Sequence, residues 1–142
     1  MFDAAACVKF ALAQVGKKVL WNQDGPDLWD CSGLVNGALM AGGEPDRGKT
    51  HTSAALFELA VPVSDVRPGD LAFFGYPTVN HVVLVVSPGG IDPINKAALV
   101  SADGATSRIT DAFNILPSAR VNMHSSIASM SRGFFRGFRR IV

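Results

Sequence analysis

Two cysteines in 142 residues are too few for a disulfide framework, and neither belongs to a Cys-x-x-Cys pair. The three histidines, His51, His81 and His124, stand far apart in the chain, so the ligand spacing of a structural zinc site is missing as well. No metal and no cofactor is expected. Charge of one sign is scarce too: 13 basic residues against 12 acidic ones leave a formal +1, which argues against a dedicated nucleic-acid binder. No apolar run is long enough to span a bilayer, so no integral membrane segment is expected. Met1 to Phe10 contains Asp3 but neither a basic n-region nor a continuous apolar h-region, and no secretory signal is visible. Internal repeats and low-complexity linkers are absent. What remains is a short chain, 48% apolar, of a size that fits one globular domain over residues 1–142.

Against this plain background the block Asp30-Cys31-Ser32-Gly33-Leu34-Val35 carries chemistry. It follows a Gly/Pro/Asp-rich loop, Asn22 to Asp30, and opens an apolar stretch (Leu34, Val35, Ala38, Leu39, Met40) with helical spacing. Cys31 is therefore expected at a helix N-terminus. Unpaired N–H groups and the helix dipole favour an anion there, and such sites lower a cysteine pKa from about 8.5 into a range of about 3.5 to 7.5. Cys7 has a different setting. It falls in the run Ala4, Cys7, Val8, Ala11, Leu12, Val15, which reads as the buried face of a first helix capped by Asp3.

The order of elements follows from periodicity. Helices are predicted from about Asp3 to Val15, Cys31 to Ala41, and Thr52 to Ala60, the last stopped by Pro62. Beyond Pro68 the texture changes to short β-branched and aromatic runs: Leu71 to Phe74, Val82 to Val86, and Ala98 to Ala102, with weaker strand candidates around Ile109 and Val121. Helices followed by a mainly antiparallel sheet is an α+β arrangement.

A thiol that attacks an amide needs an imidazole within hydrogen-bond reach to hold the thiolate and to protonate the leaving amine. His81 fits this role. It follows the turn-forming stretch Tyr76 to Asn80 and opens an apolar strand, so its ring would be held by a rigid sheet. The plain alternative is a strand-end histidine exposed to water. His51, between two threonines at a helix start, reads as a cap or groove residue, and His124 as a surface residue in a Ser-rich connection.

Three blocks in register, Asp30 to Gly33, Pro68-Gly69-Asp70-Leu71 followed by Phe73-Phe74, and Asn80-His81-Val82, resemble the NlpC/P60 family of papain-like cysteine peptidases, which cut peptidoglycan stem peptides. The resemblance covers roughly Asp3 to Ala102, and Gly137 to Ile141 looks like the family's closing strand. It implies a papain-like α+β fold in which the helix carrying Cys31 packs on a mainly antiparallel sheet carrying His81. By position it makes Cys31 the nucleophile and His81 the general base and acid. The family's third polar residue lies on the strand after the base; here Ser101 takes that position. Asp103 is the alternative, since alternation along a strand points both the same way. A core-facing or solvent-facing serine with no catalytic part is the plain reading. Asp70 reads as a turn residue. Asp30 and Ser32 match a pair that helps hold a free N-terminal amine, and Trp21 stands in the preceding loop where such members carry a tyrosine; all three are assigned to the substrate side. Capping of the second helix is an equal alternative for Asp30 and Ser32.

The resemblance thus points to a peptidoglycan endopeptidase acting on intact wall or muropeptides, cleaving between D-glutamate and the diamino acid. A papain-like amidase or acyl transferase using the same residues, and a non-catalytic phage tail or wall-binding module, are the alternatives. A small catalytic domain without signal or wall-binding repeat suggests a phage enzyme. That would be an endolysin passing from host cytoplasm to cell wall, or a lysin of the virion tail; an intracellular recycling enzyme is the cellular counterpart. The C-terminal run Arg132-Gly133-Phe134-Phe135-Arg136-Gly137-Phe138-Arg139-Arg140 reads either as a polyanion grip or, in line with the family, as a last strand with its phenylalanines in the core and its arginines in water.

Overall fold

The computed structural model of the protein describes residues 2–19, 25, 28–47, 52–90, 92–103, 119–130 and 133–141. Helix α1 (Ala4–Ala13) starts where Asp3 accepts a hydrogen bond from the Ala6 N–H at 3.0 Å. Two short parallel strands, β1 (Lys18–Val19) and β2 (Leu28–Trp29), lead to α2 (Cys31–Ala41). Helix α3 (Ser53–Leu59) is capped by the Thr52 side chain and runs into β3 (Val61–Pro62). The remaining elements are β4 (Leu71–Phe74), β5 (His81–Ser87), the short helix α4 (Pro93–Lys96), β6 (Ala98–Ala102), β7 (Val121–His124) and β8 (Phe135–Arg140). Helix α4 was missed in the sequence, although Pro at its first turn is a usual start signal. The candidate strand around Ile109 lies outside the described residues; the one at Val121 is β7.

A six-stranded sheet runs β3-β8-β4-β5-β6-β7, antiparallel throughout. This is the expected α+β arrangement, with α2 packed on β5 and β6 and α1 packed on α2. Alternation sorts the strand residues into two cores. Leu71, Phe73, Val82, Leu84, Val100 and Ala102 join Leu34, Val35 and Ala38 of α2, while Ala72, Phe74, Val83, Val85 and Leu99 pack with Ile127, Met130 and Phe138 on the opposite face. Both faces of the central strands are covered, which is why those strands read as continuous apolar runs. Between β4 and β5 the chain turns tightly. Gly75 has φ +131°, and a Cβ there would stand 2.5 Å from the Thr78 carbonyl oxygen, so glycine fixes the path by which the chain enters β5.

The C-terminal run forms the closing strand and corrects the reading of its side chains. Phe138 is buried and Phe135 half-buried, but Phe134 is 67% exposed, with its backbone in the left-handed region. The run's three described arginines, Arg136, Arg139 and Arg140, are bound to the protein instead of standing free in water. Arg139 donates to the Phe57 and Ala60 carbonyls and lies over the Phe57 ring, and Arg136 donates to the Gly75 carbonyl. Arg140 forks onto Asp70, Nε to Oδ1 at 2.7 Å and Nη2 to Oδ2 at 2.9 Å. Asp70 does brace its turn, accepting from the Arg67 N–H at 2.8 Å, yet its stronger partner comes from the far end of the chain. That pairing also raises the Arg140 pKa, first through the hydrogen bond to Asp70. Removing one member of such a pair strands a buried charge. Arg140→Met is therefore expected to lower the unfolding free energy in urea by about 3 kcal/mol; a loss within the error of the measurement would show the pair to be dispensable.

Candidate functional site

Cys31 is the first residue of α2, and the cap that starts this helix is local. The Asp30 carboxylate accepts from the Gly33 N–H at 2.6 Å, and the Ser32 hydroxyl stands 3.4 Å from the same oxygen. Asp30 and Ser32 are thus engaged in the helix cap, with Ser32 buried. The Cys31 thiol is free of any disulfide and partly exposed, packed at the margin of the core that contains Val82. Cys7 is fully buried on α1, as expected of a core residue, and burial pushes its thiol from an ordinary 9.0 up to about 12.

His81 is the first residue of β5 and only 3% exposed, which overturns the plain alternative of a water-exposed strand end. It pairs across the ladder with Phe74, whose ring centroid lies 6.0 Å from the imidazole. On β6, the Ser101 hydroxyl is fully buried and sits 2.9 Å from His81 Nε2. The same hydroxyl donates to Asp103 Oδ1 at 2.6 Å, and that oxygen is 3.9 Å from His81 Nε2. Ser101 and Asp103 were weighed as alternatives; they stand in series.

The row continues onto β7. Asn122 Nδ2 donates to Asp103 Oδ2 at 3.0 Å, and His124 Nε2 lies 2.7 Å from the same oxygen. His124 is therefore not the simple surface residue read from its Ser-rich surroundings, and Asn122 was not singled out at all. The signal was there in weak form: Asn122 and His124 are two apart on a strand and so share a face. Among the described residues no group of three or more His, Cys, Asp and Glu is placed to hold a metal ion. Trp21 and His51 lie outside the described residues. A cleft of about 320 Å³ opens between α3 and the chain segment leading to His81, bordered by Ala54, Phe57, Glu58, Pro77, Val79 and Arg136.

Comparison with known proteins identifies the family and the fold. The NlpC/P60 family matches residues 16–124. A "probable endopeptidase" of Mycobacterium tuberculosis is 37% identical over 89 residues, which are 61% of this chain and 22% of that protein. The chain thus spans about a fifth of the length of the curated relatives it matches. Among solved structures, NlpC1 from Trichomonas vaginalis superposes with a TM-score of 0.71 at 19% identity, over 99% of this chain and 44% of that one. The NlpC/p60 domain of the peptidoglycan hydrolase SagA gives a TM-score of 0.65 at 21% identity, covering 94% and 97% of the two chains. At these identities the structural likeness concerns the fold.

The two thiols are expected to part company in reactivity. Cys31 reacts with iodoacetamide in the native protein, whereas Cys7 stays silent until denaturant is added, because burial holds its proton. The same burial makes stability depend on alkali. A thiol with a raised folded-state pKa contributes stability that is complete below pH 9.0 and is lost as pH climbs from there toward about 12. Peptide mapping of the alkylated sites reads the first effect, and a Cys7 that labels as fast as Cys31 in the folded state would refute it.

Proposed function

Because this chain belongs to the NlpC/P60 family, we propose that it is a cysteine endopeptidase that hydrolyses amide bonds in peptidoglycan stem peptides, with Cys31 as nucleophile and His81 as general base and acid. The observation that carries the reading is the buried hydrogen bond between His81 on β5, the strand that α2 covers most closely, and Ser101 on the adjacent β6. A histidine buried at a strand end and held through a ring nitrogen keeps one orientation, as a general base requires. Helix α2, which Cys31 opens, packs on β5, which His81 opens, and this supports the pairing of thiol and imidazole.

The chemistry then follows in two halves. The thiolate adds to the carbonyl carbon, and the oxyanion accepts from the Cys31 backbone N–H and a neighbouring N–H at the helix end. As the tetrahedral species collapses, His81 gives its proton to the leaving amine and a thioester to Cys31 remains. His81 next takes a proton from water, whose oxygen attacks the thioester and releases the carboxylate product and the thiol. Asp30, half-buried beside Cys31, offers a carboxylate to a substrate ammonium, with Ser32 in support through the cap they share. The cleft between α3 and Pro77 to Val79, which neither Cys31 nor His81 lines, supplies room for a part of the stem peptide away from the scissile bond. The bond between D-glutamate and the diamino acid is the proposed target, in peptidoglycan or in muropeptides released from it.

Mass spectrometry of defined muropeptides tests this. The parent protein is expected to release products split at that bond, and Cys31→Ala or His81→Ala to lower the rate about 10⁴-fold or more. A bridging reagent such as 1,3-dibromoacetone should join the two side chains into one cross-linked peptide. Product release by Cys31→Ala at the parent rate would leave a binding module or a different chemistry in place of the hydrolase.

A further inference from the structure

Counting protons along the polar row gives more than the identity of a third residue. Among the described residues Asp103 receives three side-chain contacts: the Ser101 hydroxyl on Oδ1, and Asn122 Nδ2 and His124 Nε2 on Oδ2. An amide N–H₂ can only donate, and a serine at 2.6 Å from a carboxylate gives its single proton to it. With Oδ2 already taken by Asn122, the His124 nitrogen that faces it is best served as a second donor. All three of these protons therefore point at Asp103, and toward these partners the carboxylate is acceptor only. The consequence falls on Ser101. Its proton is committed to Asp103, so toward His81 Nε2, 2.9 Å away, it has only a lone pair to offer.

We infer that Asp103, clamped by Asn122 and His124, is a positioning residue that turns Ser101 into an obligate acceptor and so holds His81 in the tautomer protonated at Nε2, with Nδ1 left as the base. The inference rests on the function proposed above for Cys31 and His81. Without Asp103 the serine hydroxyl is free to rotate and donate to Nε2, which favours the tautomer with its proton on Nδ1, the wrong atom to receive one from the thiol. His124 and Asn122 act one step further back, by keeping the carboxylate oriented. The arrangement crosses three strands, β5, β6 and β7, with all of its members on the face of the sheet opposite the Val82 and Val100 side chains.

A double-mutant cycle on muropeptide cleavage separates this role from general support of the fold. Ser101→Ala is expected to lower kcat about 100-fold with KM nearly unchanged, and Asp103→Asn about 10-fold. Because Asp103 acts through Ser101, adding Asp103→Asn to Ser101→Ala should cost nothing further. A second readout needs no turnover: in the Cys31→Ser protein, the ¹⁵N shifts of the His81 ring should show the proton on Nε2, and adding Asp103→Asn should shift it toward Nδ1. If Asp103→Asn does not fold, His124 decides, with His124→Ala lowering kcat several-fold and His124→Gln, which keeps a donor, restoring it. An Asp103→Asn loss repeated in full on the Ser101→Ala background, an unshifted tautomer, or equal kcat in the two His124 variants would each overturn the proposal. An active Cys31→Ala protein would sink the hydrolase reading instead, while the ring shifts would still report on Asp103.

Discussion

The antiparallel register of β5, β6 and β7 is the constraint on which the rest of the site depends. Leu84 pairs with Val100, and Val100 with Met123, so the residues on one side of the three strands are fixed relative to each other without any help from loops. His81, Ser101, Asp103, Asn122 and His124 occupy that side. A slip of one residue in either pairing would turn the polar side chains of one strand to the other face and break the row. The slip is opposed by the two cores, which bury alternate residues of the same strands above and below the sheet. Hydrophobic patterning thus holds a hydrogen-bonded network in place, and the network need contribute little to stability itself.

The far end of the chain secures this sheet from the other side. Strand β8 lies between β3 and β4, and Arg140 near its end reaches the Asp70 carboxylate at the start of β4. Asp70 is buried, and its backbone also receives the Val85 N–H, so the same residue ties β4, β5 and β8 together. Without Arg140 that carboxylate would lose its charged partner. Arg139 meanwhile spans from β8 to the end of α3, holding the helix that forms one wall of the cleft. The run of arginines and phenylalanines, which in the sequence invited a polyanion-binding reading, is spent largely on internal acceptors.

Local signals in the sequence were read correctly where the physics is local. Asp3 caps the first helix as read, Asp30 takes the capping role that stood as its alternative to substrate binding, and Thr52, read as the start of the third helix, caps it, since a cap involves only three or four neighbouring residues. Cys31 at the start of α2 and His81 at the start of β5 were legible for the same reason. What the sequence left open was set by contacts across the sheet. Ser101 and Asp103 are equivalent by alternation, and only the third dimension shows one behind the other. His124 looked like a loop residue because the serines after it dominate the local composition, whereas its partner Asp103 lies 21 positions away. Arg140 is 70 positions from Asp70, a separation over which no periodic pattern carries information.

The serial arrangement also answers an objection to serine at this position. A hydroxyl alone fixes a tautomer but carries no charge to offset the imidazolium that the proposed reaction forms when His81 takes the thiol proton. In that proposal Asp103 sets a carboxylate behind the hydroxyl. Its Oδ1 stands 3.9 Å from His81 Nε2, beyond hydrogen-bond reach, so its influence on the ring runs through the Ser101 hydroxyl. The buried serine therefore does not stand in for a carboxylate; it passes on the influence of one, and the carboxylate in turn is held ready by two donors from the next strand.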